Sequence, residues 1–133
     1  MKKFDDWNQL KIKTEDGQRV NFKNREIWFL RVGKNVGFEQ DGKGDIFLRP
    51  VVVFKKFNKD VFWGIPCTSQ ERSGKYYFKI SDFNKRKNYL ILSQLRLFDA
   101  KRLEYKIGNV AKNEFSQIKK NLIELIKEIP EGV

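Results

Sequence analysis

Residues 48–70 read LRPVVVFKKFNKDVFWGIPCTSQ. Two runs rich in β-branched and aromatic residues, VVVF and VFWGI, flank a polar stretch, which is the pattern of a β-hairpin. Asn58-Lys59-Asp60 supplies the turn chemistry. A turn centred near Asn58-Lys59 pairs position 49 with roughly position 68 when the two strands run antiparallel. Arg49 and Thr68 then come to the same end of the sheet. Arginine and hydroxyl side chains are costly to bury and ordinary at a rim. The hairpin therefore has a closed end at its turn and a polar end that faces a site.

Outward from the hairpin, Arg25–Val32 (REIWFLRV) reads as a strand. Residues 33–44 (GKNVGFEQDGKG) hold four glycines and read as a long loop of the kind that carries function. Pro50–Phe57 and Val61–Cys67 are the hairpin strands. Glu71–Lys75 is a turn, Lys75–Ile80 a strand, and Ser81–Asn88 (SDFNKRKN) a basic loop. Tyr89–Phe98 is a long strand interrupted by polar Ser93-Gln94. Asp99–Lys106 is short and polar with one helical turn, and Ile107–Val110 is a brief strand. Phe115, Ile118, Leu122, Leu125, Ile126 and Ile129 recur at spacings of three and four, which predicts an amphipathic helix. Asn113 is its expected N-cap, and Pro130 and Gly132 stop it. Short strands followed by one helix predict a mainly β domain, a small barrel-like sheet with a C-terminal helix across it, over residues 25–133. Residues 1–24 read as an N-terminal helical extension through Phe4, Trp7, Leu10 and Ile12, ended by Gly17 and packed on the domain.

The chain has 133 residues, enough to bury a core without staples. Lys+Arg total 28 against 17 Asp+Glu, for a net charge of +11, which favours an anionic partner. Twelve Phe, three Trp and four Tyr accompany that charge. Aromatics beside cations are the usual basis of single-strand binding, although most of these rings belong to the core. One cysteine, Cys67, forms no internal disulfide, so a reducing, cytoplasmic compartment is expected. MKKFDDW lacks the apolar stretch of a secretory signal, and no run is long enough to span a membrane. The absence of histidine excludes paired-histidine RNA cleavage and removes the commonest metal ligand.

Three motifs lead nowhere. Ser73-Gly74-Lys75 lacks the earlier glycine of a phosphate loop, and Tyr76 stands where Ser or Thr is needed, so it reads as a surface turn. Glu39, Asp41 and Asp45 do not follow a calcium-loop pattern, because Lys43 takes a ligand position. Cys67 has no histidine to activate it and reads as a buried structural thiol.

What remains is Arg49 with Thr68, beside Ser93, Gln94 and Arg96 on a third strand and a glycine-rich loop. An arginine, a hydroxyl and an amide at one rim make a phosphate site. The chemistry that suits it is RNA cleavage by the adjacent 2′-hydroxyl. A forked, permanently charged guanidinium neutralises the five-coordinate phosphorus, and a threonine hydroxyl donates to a second oxygen. Arg49 is a poor base, and Glu39 is the nearest loop carboxylate in sequence. On the residues alone a plainer reading stands beside this one: Arg49 as a sheet-edge ion pair and Thr68-Ser69 as turn formers.

The ordered series EIWFLRVGKNVGFEQ, RPVVV, IPCTSQ and LSQLRLFDAKRLEYKIGNV, followed by the amphipathic helix, resembles the MazF/PemK (Kid) toxins of bacterial toxin–antitoxin systems. The resemblance covers about Arg25 to Ile129. It implies an SH3-like barrel that forms a homodimer and acts as a sequence-specific, metal-independent endoribonuclease on single-stranded RNA, leaving a cyclic phosphate and a 5′-hydroxyl. It implies an acidic antitoxin whose tail occupies the RNA groove. It assigns catalysis to Arg49 and Thr68, RNA contact to Ser69, Ser93, Gln94 and Arg96, and gating to the loop with Gly37 and Glu39. Ser93 departs from the acidic residue that many relatives carry there, the loop has extra residues from Gly42 to Leu48, and residues 1–24 lie outside the usual domain. Two rivals share the fold: a gyrase poison of the CcdB type acting through the C-terminal helix, and an RNA-binding module without catalysis.

Overall fold

Val51, Val52 and Val53 are all buried. Successive side chains of a strand point to opposite faces, so three buried valines in a row require cover on both sides of the sheet. The computed structural model supplies it. It describes residues 20–32, 47–83 and 86–132. The strands are β1 (Glu26–Val32), β2 (Phe47–Lys56), β3 (Val61–Thr68), β4 (Tyr77–Phe83), β5 (Arg86–Ile91), β6 (Arg96–Asp99) and β7 (Leu103–Asn109), followed by α1 (Lys112–Lys127). All pairings are antiparallel: β1 with β2 and β7, β2 with β3, β3 with β5 and β6, and β4 with β5. The sheet runs β4-β5-β3-β2-β1-β7, with β6 branching onto β3. β3 is thus the hub: Val61–Gly64 pair with β6, and Cys67 and Thr68 pair with β5. The mainly β domain with one C-terminal helix is the fold that the sequence patterning predicts.

One face carries Ile27, Val52, Ile65, Cys67 and Leu90 and is closed by Ile118 and Leu122 of α1. The other carries Trp28, Leu30, Val51, Val53 and Phe62 and is closed by Phe22 and Phe98. A fully buried side chain of this size contributes about 1.5–3 kcal/mol. Gly64 makes the second core possible. A Cβ there would sit 2.7 Å from Val51 Cγ1, 2.8 Å from Phe98 Cδ2 and 2.9 Å from Phe62 Cε2. Phe22 is fully buried against Phe62, with ring centroids 5.2 Å apart. The expected N-terminal helix and the glycine-rich loop lie outside the described residues.

Several boundaries differ from the sequence reading. β2 begins at Phe47, so Arg49 stands inside the strand, paired with Leu30 of β1, and not at its start. The basic segment read as a loop supplies the end of β4, Ser81–Phe83, and the start of β5, Arg86–Asn88, in which Asn88 is buried. Tyr89–Phe98 is two strands separated by a 3-10 turn, Leu92–Gln94. β7 starts at Leu103, with a second 3-10 turn at Ala100–Arg102 before it. The α1 N-cap is Ala111, with no side-chain cap; Asn113 lies inside the first turn. Ile126 and Ile129 are 63% and 66% exposed, so the buried stripe of α1 ends with Leu122 and the half-buried Leu125. No described helix is long and apolar enough to cross a membrane.

Candidate functional site

The closed end of the hairpin is held by its own polar groups. Asn58 Oδ1 accepts from the N–H groups of Asp60 (2.7 Å) and Val61 (3.1 Å). Lys56 pairs with Phe62, which centres the turn on Lys59. A one-residue bulge between Val53 and Lys55 then shifts the register, so that Val53 faces Gly64, Val52 faces Ile65 and Val51 faces Pro66. Extended by two residues that register corresponds to Arg49 with Thr68, but the ladder itself stops at Val51–Pro66. The bulge offsets a turn centre displaced by half a residue, so the pairs from Val53–Gly64 to Val51–Pro66 follow the register expected from sequence.

The ladder between β2 and β3 ends at Val51–Pro66. Pro50 and Pro66 lack an N–H and cannot donate to it. The two polar residues stand beyond the last pair of this ladder, Arg49 paired with Leu30 of β1 and Thr68 with Tyr89 of β5. Arg49 is exposed and makes no hydrogen bond or ion pair among the described residues. Its charge is felt at Cys67, the residue before Thr68. Burial pushes the Cys67 thiol up to about 12, while Arg49 pulls it the other way. Thr68 is half-buried, and its Oγ1 accepts from the Gln70 N–H at 3.2 Å. Accepting leaves the hydroxyl hydrogen to be donated outward.

Thr68 faces Tyr89 on β5, and Tyr89 faces Lys79 on β4. Directly opposed residues of antiparallel strands share a face. Thr68, Tyr89 and Lys79 therefore form one row across three strands, on the face opposite Cys67 and Leu90, while Arg49 pairs with Leu30 of β1. Tyr89 is 5% exposed, and its hydroxyl makes no hydrogen bond among the described residues. The row offers a hydroxyl, a phenol and a cation on successive strands, and Arg49, whose charge acts on Cys67, adds a guanidinium near its Thr68 end; a guanidinium and a hydroxyl suit the oxygens of a phosphodiester. Sequence reasoning missed Tyr89 and Lys79. Both stand in segments that read as strands, Lys75–Ile80 and Tyr89–Phe98, but their alignment with Thr68 exists only in the registers of β4 on β5 and β5 on β3.

Ser69, Ser93, Gln94 and Arg96 are all exposed. Ser93 and Gln94 sit in the 3-10 turn, anchored by buried Leu92, whose N–H donates to Tyr76 O at 2.8 Å. Arg96 faces Gly64, four residues along β3 from Thr68, or ~13 Å away on the same face. Its guanidinium stacks 5.0 Å from the centre of the Phe98 ring. Arg96 is thus placed for a neighbouring group of a bound chain and not for the one held by Arg49. Gly37 and Glu39 fall outside the described residues. Among the described residues, no group of three or more His, Cys, Asp or Glu is placed to hold a metal ion.

Residues 23–126 match the family described as PemK-like, MazF-like toxin of type II toxin-antitoxin system. The MazE–MazF complex (form III) from Deinococcus radiodurans superimposes with a TM-score of 0.66 at 12% identity, over 81% of this chain and 98% of that one. An endoribonuclease in complex with its cognate antitoxin from a mycobacterial species gives a TM-score of 0.62 at 10% identity, over 83% and 98%. MazF (form I) from Deinococcus radiodurans gives 0.60 at 14% identity, over 83% and 99%. No curated protein sequence matches the chain.

Proposed function

The chain belongs to the PemK-like, MazF-like toxin family of type II toxin–antitoxin systems, and from that premise we propose that it is an endoribonuclease that cuts single-stranded RNA. The observation that supports the reading is an exposed Arg49 whose charge acts on Cys67, the residue before Thr68, with Thr68 in a row with Tyr89 and Lys79.

In the proposed reaction the 2′-oxygen attacks the adjacent phosphorus and the bond from phosphorus to the 5′-oxygen breaks. The 2′-hydroxyl gives up a proton and the leaving 5′-oxygen gains one. The products are a 2′,3′-cyclic phosphate and a 5′-hydroxyl, and no metal enters the scheme. Charge accumulates on the non-bridging oxygens as phosphorus becomes five-coordinate. Arg49 neutralises it with a fork of N–H donors, and Thr68 fixes the phosphate by donating to one oxygen. Removal of a donor of this type costs about a hundred- to a thousandfold in rate. Ser69, Ser93 and Gln94 line the path of the strand, and Arg96 holds a neighbouring nucleotide. Gly37 and Glu39 gate the groove in this scheme, an assignment that rests on the resemblance.

Homodimer formation and capture by an acidic antitoxin belong to the same proposal. The net charge of +11 favours an acidic partner, and similar folds occur in complexes of toxin with antitoxin. The test is incubation of purified protein with a defined single-stranded RNA, in the presence of chelator, with both new ends mapped. Cyclic phosphate and 5′-hydroxyl ends at reproducible positions are expected. Intact RNA together with inhibited DNA supercoiling would replace this reading with a gyrase poison. RNA bound with a steep salt dependence but never cut would replace it with a binding module.

A further inference from the structure

Seven residues along β2 from Arg49, ~23 Å away, lies an open cavity of about 710 Å³ with Lys23, Arg25, Lys56, Phe57 and Asn21 in its wall. No aspartate or glutamate is among the described residues that line it. Among those residues it has three cations and no carboxylate. Lys56 Nζ donates to Phe22 O at 3.0 Å and lies 4.4 Å from the centre of the Phe22 ring. The Lys23 ammonium makes no hydrogen bond or ion pair among the described residues. Arg25 is the most informative. It is the one described non-glycine residue with positive φ, at 76°. Its N–H donates to Val53 O and its carbonyl accepts from the Val110 N–H, both at 2.8 Å. Its Nε donates to Val110 O at 3.4 Å, and the two Nη atoms make no hydrogen bond among the described residues. Glycine or asparagine fits such a backbone at lower cost, so a strained arginine here points to use of its side chain. Phe57, 42% exposed, adds a flat apolar wall.

We infer that this cavity binds a nucleotide, with the phosphate between Lys23 and Arg25 and the base against Phe57. Clustered unpaired cations hold phosphate oxygens, and an exposed ring beside them accepts a base. The same chemistry is offered by a free mononucleotide and by one unit of a single-stranded RNA that runs on from the rim. The inference does not require that the rim cuts RNA.

The test measures affinity for 5′-AMP and for a 2′-O-methyl single-stranded oligonucleotide long enough to run from rim to cavity. Neither probe can be cleaved, so the result is independent of the proposed nuclease activity. The full-length protein is compared with Lys23→Ala/Arg25→Gly, in which glycine suits the positive φ and melting curves check folding. Phe57→Ala provides a second variant. Affinity is expected to fall about tenfold or more in each variant, the factor of one charge-assisted hydrogen bond. A loss for the oligonucleotide identifies a strand subsite; a loss for 5′-AMP with the oligonucleotide unchanged identifies a free-nucleotide site. Equal affinity of parent and folded variants for both probes overturns the inference. So does an acidic peptide that binds through these residues while neither nucleotide probe does.

Discussion

The two ends of the β2–β3 hairpin are made from similar residues and do opposite things. At the turn, polar groups are committed to structure. Asn58 Oδ1 takes two backbone N–H groups, and Asn24 Oδ1 takes the Lys56 N–H at 2.7 Å. The Ala100 N–H donates to Asp60 O at 2.8 Å. At the rim, two prolines interrupt the ladder, Arg49 is exposed without a protein partner among the described residues, and Thr68 keeps a proton to give. Committed groups stabilise a fold; uncommitted ones are available to a ligand. The cavity beside the turn obeys the same distinction, because its uncommitted cations, Lys23 and Arg25, come from the segment before β1 and not from the hairpin.

The contrast can be broken by substitution, and the largest effect is expected at the rim. Arg49→Ala should lower the rate of RNA cleavage by about a hundred- to a thousandfold while the melting temperature stays within a few degrees of the parent. Arg49→Lys should recover little, because a point charge does not replace the planar fork. Loss of fold in Arg49→Ala would place the residue with the structural groups instead.

Next comes the close contact between the ends. Gly64→Ala forces a methyl against Val51, Phe98 and Phe62. A loss of about 1–3 kcal/mol in denaturant unfolding is expected.

A smaller and pH-dependent effect should come from Cys67, one residue from the rim. Its folded thiol lies at about 12 against an ordinary value of 9.0, raised by burial. A raised folded value means that the native state holds a proton that the unfolded chain gives up. Stability is therefore unaffected below pH 9 and falls as pH rises from 9 towards 12, by about 1.4 kcal/mol per unit. Unfolding curves of the parent and Cys67→Ala should converge by that slope above pH 9. Parallel curves would show that the thiol is not sealed.

The smallest effect belongs to the turn. Asn58→Ala should cost about 1 kcal/mol of stability and leave the rate per folded molecule unchanged. A drop in that rate would mean that the turn end also serves the chemistry.

Much of this arrangement was legible before any coordinates. The hairpin was, because β-branched runs and an Asn-Lys-Asp turn speak for themselves. The register of the hairpin as far as Val51–Pro66 was, although a bulge and a displaced turn centre offset one another to give it. The helix was, except that its stripe runs on too far in the sequence: Ile126 and Ile129 have the right spacing, yet both are exposed, and Ile129 lies beyond the helix end at Lys127. The β4–β5 hairpin was hidden by Lys85, Arg86 and Lys87, since charges that commonly guard exposed strands also look like a loop. Lys79 and Tyr89 flank that segment in runs that read as strands, and only the pairing registers align them with Thr68. Arg49 was placed at a strand start because Pro50 reads as one, whereas β1 pairs with β2 back to Phe47.

The central claim is that Arg49 and Thr68 grip one phosphate. A double-mutant cycle of Arg49→Ala and Thr68→Val, read as single-turnover cleavage of a defined RNA, tests it most directly. Two groups that act as a unit are not additive, so the double variant should be no more than a few-fold slower than Arg49→Ala alone. Losses that multiply in full, or a Thr68→Val variant that cuts at the parental rate, would contradict it.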